Sequence, residues 1–214
     1  KKLGPENLGA LAKGIPNLLR HVENMDKFGL PVVVAINRFP TDTANEVELV
    51  QAEGKKVGVK AVLAEHWEKG GAGARKLAKE VVKTIDAGKA NFKLLYPDKM
   101  PLVEKIRTIA KEIYRADDIS LDGAVAAKLA DIEKMGFGHY PICMAKTQYS
   151  FSTNPALKCA PTGFTVPIRD VRLSAGAEFV VVLSGNIMTM PGLPRVPAAE
   201  VVGVDKSGEV TGLF

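Results

Sequence analysis

Residues 31–43 read PVVVAINRFPTDT, and this stretch decides which fold the rest of the chain can build. Six apolar residues, three of them valines, follow one another without a polar interruption. Such a run predicts a strand that is buried on both faces, as in the middle of a parallel sheet. The strand should end before Pro40, which cannot extend a sheet ladder. Thr43 and the two polar residues before it then offer oxygens that can cap a helix over residues 44–53.

Three side chains with binding chemistry come directly after this predicted strand. Asn37 has an amide that can read a purine edge, Arg38 is a cation, and Phe39 carries a ring. In open α/β sheets, ligands bind at the carboxyl ends of the strands. Asn37, Arg38 and Pro40 are therefore candidates for contact with a nucleotide.

A second apolar run, residues 59–64, follows the predicted helix and completes a βαβ unit with parallel strands. Residues 65–73 then contain Trp67 and several glycines, before a helix expected from about 74 to 87. The glycines match neither GxxxxGK[ST] nor GxGxxG, so they predict a flexible turn that frees Trp67 rather than a phosphate site. Because a single crossover joins the two strands, Phe39 and Trp67 must leave the same edge of the sheet.

The other segments predict an α/β fold, in which a parallel-sheet βαβ region with flanking helices is followed by a smaller α+β C-terminal domain. An apolar stripe from Leu8 to Met25 predicts a helix with a kink or a restart at Pro16 and an end at Gly29. The later patterns predict a strand at 92–96, helices at 100–114 and 121–135, strands at 142–145, 165–173, 179–183, 201–204 and 209–211, a solvated loop at 117–118 and a hairpin turn at 205–208. Domain boundaries are expected near residues 30 and 118.

The bulk properties are those of an ordinary globular protein, with 214 residues, 46% of them hydrophobic, and a formal charge of +5. The charge suits a plain solvated surface or a polyanionic small ligand, and the scattered lysines carry no signature of nucleic-acid recognition. No apolar run approaches the roughly 20 residues that span a bilayer. We expect a cytoplasmic protein that binds neither membranes nor nucleic acids.

Cys143 and Cys159 have no metal-ligand or redox spacing, so both are predicted to be free thiols. No cluster of histidine, cysteine and aspartate predicts a metal site. The sequence begins at Lys1 rather than at methionine, so we expect a fragment, a processed product or a subunit of something longer.

Several stretches carry a resemblance to a known family. They are residues 33–43, His66-Trp67 through Gly70-Gly71, Met144-Ala145-Lys146-Thr147-Gln148-Tyr149-Ser150, Met188-Thr189-Met190-Pro191-Gly192-Leu193-Pro194, and the terminal Gly212-Leu213-Phe214. In this order, they resemble the C-terminal part, less than half, of formate–tetrahydrofolate ligase.

The resemblance implies a ligase that uses ATP, as its Mg²⁺ complex, to activate formate as formyl phosphate, which then formylates tetrahydrofolate. It places the family's folate-stacking aromatics at Phe39 and Trp67, with Leu63 lining the same cleft. The P-loop lysine and the Mg²⁺ ligands would belong to a missing N-terminal region or a partner chain. We therefore predict no catalytic residue here, expect this chain alone to be inactive, and expect the enzyme to be a homo-oligomer.

With this resemblance, residues 1–30 are predicted to be the helical end of a nucleotide-binding domain, 31–118 a folate-binding domain and 119–214 the C-terminal domain. The main alternative function is a GTP-binding regulatory module, because a strand ending in Asn37-Arg38 is similar to an Asn-Lys-x-Asp loop. However, Pro40 occupies the position of the aspartate. Two smaller questions stay open: whether Lys146 and His66 contact ligands, and whether the rings of Phe39 and Trp67 pack inward instead.

Overall fold

The structure is a computed structural model that describes residues 4–145, 150–187, 192 and 194–213. The helices are α1 (Leu8–Lys27), α2 (Ala44–Lys56), α3 (His66–Asp86), α4 (Leu102–Glu112) and α5 (Gly123–Ile132), which a π-helical turn (Glu133–Phe137) continues. The strands are β1 (Val33–Asn37), β2 (Lys60–Ala64), β3 (Asp118–Leu121), β4 (Ile142–Ala145), β5 (Thr165–Ser174), β6 (Phe179–Ser184), β7 (Gly203–Val204) and β8 (Val210–Thr211). This arrangement confirms the predicted α/β fold class.

The βαβ unit forms as predicted. β1 and β2 are parallel neighbours, with Ile36 opposite Leu63. Between them, α2 begins with a capping box, in which Thr43 Oγ1 accepts from the Glu46 N–H and the Glu46 carboxylate accepts from the Thr43 N–H. The carboxyl ends of the two strands therefore lie side by side, about 4.8 Å apart.

β1 is less buried than its uninterrupted apolar run predicts. Val33, Val34 and Ile36 are half-buried, and Ala35 is exposed. Within the described part of the chain, β1 pairs with β2 alone, and a two-stranded sheet leaves the second edge and part of each face open. The prediction that β1 is buried on both faces is therefore wrong.

α1 is a single helix, although Pro16 lies inside it. The predicted restart is wrong because a proline removes one backbone donor, and this loss is offset by the burial of Ile15 and Val22 on either side. The helix ends as predicted at Gly29, whose φ of +69° suits glycine and whose N–H donates to Asp26 O at 2.8 Å.

The larger sheet has four strands in the order β3-β5-β6-β4. β3 is parallel to β5, β4 is parallel to β6, and β5 and β6 are antiparallel. α4 and α5 pack with this sheet around the main apolar core, which includes Leu102, Ile106, Val180 and Val182. At the end of the chain, β7 and β8 form a small hairpin with the predicted turn at 205–208, where Gly208 N–H donates to Asp205 O at 3.1 Å.

The strand predicted at residues 92–96 is absent from the structure, in which this segment has no regular secondary structure. Asn91 N–H donates to Gly29 O, and Lys93 N–H donates to Phe28 O. Two isolated bonds to the turn after α1 hold the segment in place, but they do not make a ladder of paired residues.

The loop predicted at residues 117–118 is also wrong, because Asp118 begins β3. Ile119 lies opposite Val166 of β5, a partner far away in sequence, and this pairing replaces the helix start that local patterns predicted for Leu121. Asp118 is not simply solvated either, since its Oδ1 accepts from Arg107 Nε at 2.9 Å.

Polar contacts join α1 to the loop before β5. Asn17 Nδ2 donates to Cys159 O and Arg20 Nη1 donates to Pro161 O, both at 2.7 Å. Cys143 and Cys159 are both free thiols in the structure. Among the helices formed by the described residues, none has the length and apolar character needed to cross a bilayer.

Candidate functional site

Two exposed aromatic rings lie beyond the carboxyl edge of β1 and β2. Phe39 follows the end of β1 and is 56% exposed, and Trp67 follows the end of β2 and is 58% exposed. The alternative in which Phe39 fills the core and Trp67 packs on a helix would bury both rings, which the structure does not do. The two rings are therefore available to a ligand at the edge where α/β sheets bind their ligands.

A tight turn positions Phe39. The Phe39 N–H donates to Asp42 Oδ2 at 2.8 Å, and the Asp42 N–H donates to Phe39 O at 3.0 Å. Pro40 restricts the backbone between them, and α2 begins immediately afterwards. The ring of Phe39 is therefore carried by a backbone that is bonded at both ends of the turn.

The segment that carries Trp67 is helical, which the glycine-rich sequence did not predict. α3 begins at His66, and Gly70 interrupts it with φ of +54° and ψ of −146°. Gly73 lies against the start of the helix, since the Glu65 N–H donates to Gly73 O at 3.2 Å and a Cβ at Gly73 would overlap the Glu65 carbonyl group. The glycines thus allow a helical turn to fold back closely, rather than forming a flexible loop.

Glu65 connects the two loops, and the sequence analysis missed it. Its Oε1 accepts from Arg38 Nη1 at 3.2 Å and from Lys69 Nζ at 2.9 Å. The hydrogen bond from Lys69, followed by the contacts with Arg38, lowers the pKa of the Glu65 carboxyl below its ordinary value. An arginine after one strand and a glutamate after its parallel neighbour was the available signal, because the two positions meet at one sheet edge.

The other predicted residues divide by exposure. Leu63 is half-buried and, with Arg38, lines a groove of about 420 Å³ beside β2. Asn37, Pro40 and His66 are exposed near the same edge. The structure thus brings the predicted folate and nucleotide residues to one end of the βαβ unit.

Within the described ranges, no group of three or more histidine, cysteine, aspartate and glutamate side chains could hold a metal ion. Lys146 and most of the motif at 188–194 lie outside the described residues, so their predicted roles stay predictions.

Parallel strands with two exposed rings and an ion pair at their carboxyl ends define the chain as an α/β protein with a candidate ligand-binding edge. A family model described as formate–tetrahydrofolate ligase matches residues 1–214. The chain belongs to the formate–tetrahydrofolate ligase family.

Curated relatives agree with this assignment. The chain is 56% identical over 212 residues to the formate–tetrahydrofolate ligase of Roseobacter denitrificans, a match that covers 99% of this chain and 38% of that protein. It is 54% identical over 212 residues to the enzyme of the same name from Pelagibacter ubique, with the same coverage. The chain thus spans about 38% of the length of these relatives.

Proposed function

We propose that this chain is the C-terminal portion of an ATP-dependent ligase that joins formate to tetrahydrofolate, giving 10-formyltetrahydrofolate through formyl phosphate. This portion supplies the folate-binding cleft, in which Phe39 and Trp67 stack on the two faces of the pterin and Leu63 forms a wall. The observation that carries the proposal is the pair of exposed rings at the ends of adjacent parallel strands. Membership of the family supports the choice of ligand.

The distance between the strands suits a flat ligand held between two rings. Adjacent strands lie about 4.8 Å apart, whereas a ring sandwiched between two others needs roughly 7 Å, or about 3.5 Å for each contact. Each ring stands beyond the end of its strand, on a turn or at a helix start, so a small divergence of the two segments provides the difference. The ion pair between Arg38 and Glu65 links these segments and keeps their separation constant.

The nucleotide and the metal enter the proposal as substrates of the whole enzyme. Phosphoryl transfer requires a P-loop lysine and Mg²⁺ ligands, and no GxxxxGK[ST] motif occurs in the 214 residues. We assign those parts to another region or chain, and we assign Asn37, Arg38 and Pro40 to the side of the cleft that faces the ATP. The enzyme would be a cytoplasmic homo-oligomer that acts on small molecules.

Trp67 provides a direct test, because it is the single tryptophan of the chain. Tetrahydrofolate stacked on its ring should change its fluorescence emission, and a titration of that change gives a dissociation constant. Loss of one stacking ring costs about 1–3 kcal/mol, so Phe39→Ala should weaken binding roughly 5- to 150-fold. Phe92→Ala is the matched control, because Phe92 is also an exposed phenyl ring, at 62%, but does not follow β1 or β2.

Two results would contradict the proposal. Emission of Trp67 that tetrahydrofolate leaves unchanged would rule out the stacked complex, and equal binding by Phe39→Ala and Phe92→Ala would remove Phe39 from the site. If GTP changes the emission and tetrahydrofolate does not, the nucleotide-binding module is the better description.

A further inference from the structure

A groove along the outer edge of β2 is not used by the proposed stacking of the pterin. The Arg38 N–H donates to Ala64 O across the β1–β2 ladder, while Ala61 O accepts from Gln51 Nε2 on α2 at 3.2 Å. Alternate residues of a strand direct their backbone groups to opposite edges. The backbone groups of Ala61 and Leu63 therefore face away from β1, into a groove bordered by α2 and α3.

The groove has a volume of about 420 Å³ and an apolar base. Its side chains are Arg38, Ala44, Val47, Glu48, Gln51, Lys60, Ala61, Val62, Leu63 and Lys76. Three of these are cations and one is an acid, so the groove is positively charged overall. It extends from Lys60 at the start of β2 to Leu63 near its end, about 10 Å at the usual rise of a strand.

The cations of this groove are only partly neutralised. Lys76 has no ion pair or hydrogen bond with any residue that the structure describes. Arg38 gives Nη1 to Glu65, while its Nε is buried and has no hydrogen-bond partner among the described residues. Lys60 is paired, with its Nζ 2.5 Å from Glu80 Oε2. A ligand with carboxylates would therefore find positive charge at both ends of the groove.

We propose that this groove binds the glutamyl tail of the folate, a chain of glutamate units joined through their side-chain carboxyl groups. The proposal rests on the folate cleft proposed above, because Leu63 belongs to both the cleft and the groove. A tail that leaves the pterin at Leu63 runs along the edge of β2 towards Lys60. Its amide groups pair with the free backbone groups of Leu63, as in strand addition, and its carboxylates meet Arg38, Lys76 and then Lys60.

The expected gain in affinity is modest and depends on salt. Lys60 and Lys76 are exposed, and pairs between exposed charges are weak and screened by ions. We expect a tail of three glutamates to bind about 3- to 10-fold more tightly than a tail of one at low ionic strength. High salt should remove most of this difference.

The test compares tetrahydrofolate carrying one glutamate with tetrahydrofolate carrying three, by titration of the Trp67 emission of the 214-residue chain. Lys76→Gln should reduce the preference for the longer tail by roughly 2- to 5-fold and leave the binding of the one-glutamate form unchanged. Lys79→Gln is the matched control, because Lys79 is exposed on the same helix but does not line the groove. The p-aminobenzoyl compound with three glutamates, which lacks the pterin, is titrated in parallel by calorimetry.

The outcomes separate this inference from the proposed function. If the one-glutamate form binds and the longer tail adds nothing, the groove proposal is wrong while the pterin cleft stands. If Lys76→Gln and Lys79→Gln act alike, the preference arises elsewhere and the groove is again wrong. If tetrahydrofolate does not bind but the compound without pterin does, and needs Lys76, the cleft is wrong and the groove holds the tail; if neither binds, both proposals fall.

Discussion

Replacing Lys105 with methionine is expected to lower the free energy of unfolding by about 2 kcal/mol. Lys105 lies on α4 and is fully buried. Its Nζ donates to the carbonyl oxygens of Gly138 and Tyr140, both at 2.9 Å. These bonds tie α4 to the segment that leads into β4. Methionine occupies much of the same space but donates no hydrogen bond, so both carbonyl groups lose their partner.

Two opposing effects set this magnitude. A hydrogen bond from a charged donor contributes about 1.5–3 kcal/mol, so the two bonds together contribute about 3–6 kcal/mol. Burying an ammonium group costs several kcal/mol, and the methionine variant is free of that cost. The difference leaves the variant about 2 kcal/mol less stable than the wild type.

The pH dependence gives a second measurement on the same pair of proteins. Burial lowers the pKa of Lys105 below its ordinary value, although the carboxylates of Asp98 and Glu133 raise it in part. An unfolded lysine titrates near about 10.4. Between the lowered folded pKa and that value, the unfolded state binds more protons, so the stability of the wild type rises with pH. The stability gap to Lys105→Met should therefore widen between neutral pH and about pH 10.

Urea unfolding followed by circular dichroism measures the free energy at each pH. Lys99→Met is the control, because Lys99 is exposed and its replacement should change the stability by less than about 0.5 kcal/mol. If Lys105→Met is as stable as Lys99→Met, the two carbonyl bonds do not hold α4 in place. A gap that narrows towards high pH would mean that burial does not disfavour the charge of Lys105.

Two more outcomes are expected. Gly73→Ala should weaken tetrahydrofolate binding several-fold in the Trp67 assay, because its Cβ would displace Glu65, whereas Gly71→Ala, with open space around it, should bind normally; equal affinities would show that the close contact at Gly73 does not position the tryptophan. The 214-residue chain supplied with formate, Mg²⁺, ATP and tetrahydrofolate should release no ADP, and formate-dependent ADP release by this chain would contradict the absence of the phosphoryl-transfer machinery.

Elements that depend on local patterns were predictable from the sequence. The run of residues 31–43 indicated a strand, a cap and a helix, and the structure has β1, the Thr43 capping box and α2 in that order. The parallel pairing of β1 with β2 followed from the length of the crossover. The placement of Phe39 and Trp67 at one edge followed in turn, because parallel neighbours end on the same side.

Elements that depend on distant partners were not predictable. β3 is four residues long, and its sequence shows no clear period, so its existence depends on β5, which begins at Thr165. The half-exposed state of β1 is the opposite case, since the apolar run indicates neighbours on both sides and the described chain supplies a single one. In both cases the local sequence states a preference, and non-local contacts determine whether it is met.

Glu65 shows why the candidate site needed the structure. Its backbone fixes the start of α3 through the bond to Gly73, and its carboxylate reaches Arg38 on the loop that carries Phe39. The side chains of Arg38 and Glu65 are 39% and 23% exposed, and pairs of this kind add at most about 1 kcal/mol to stability. Their effect is therefore on position, because two rings can hold a flat ligand only while their separation stays close to two van der Waals contacts. A single residue whose backbone sets one ring and whose side chain restrains the other ties both halves of the cleft together.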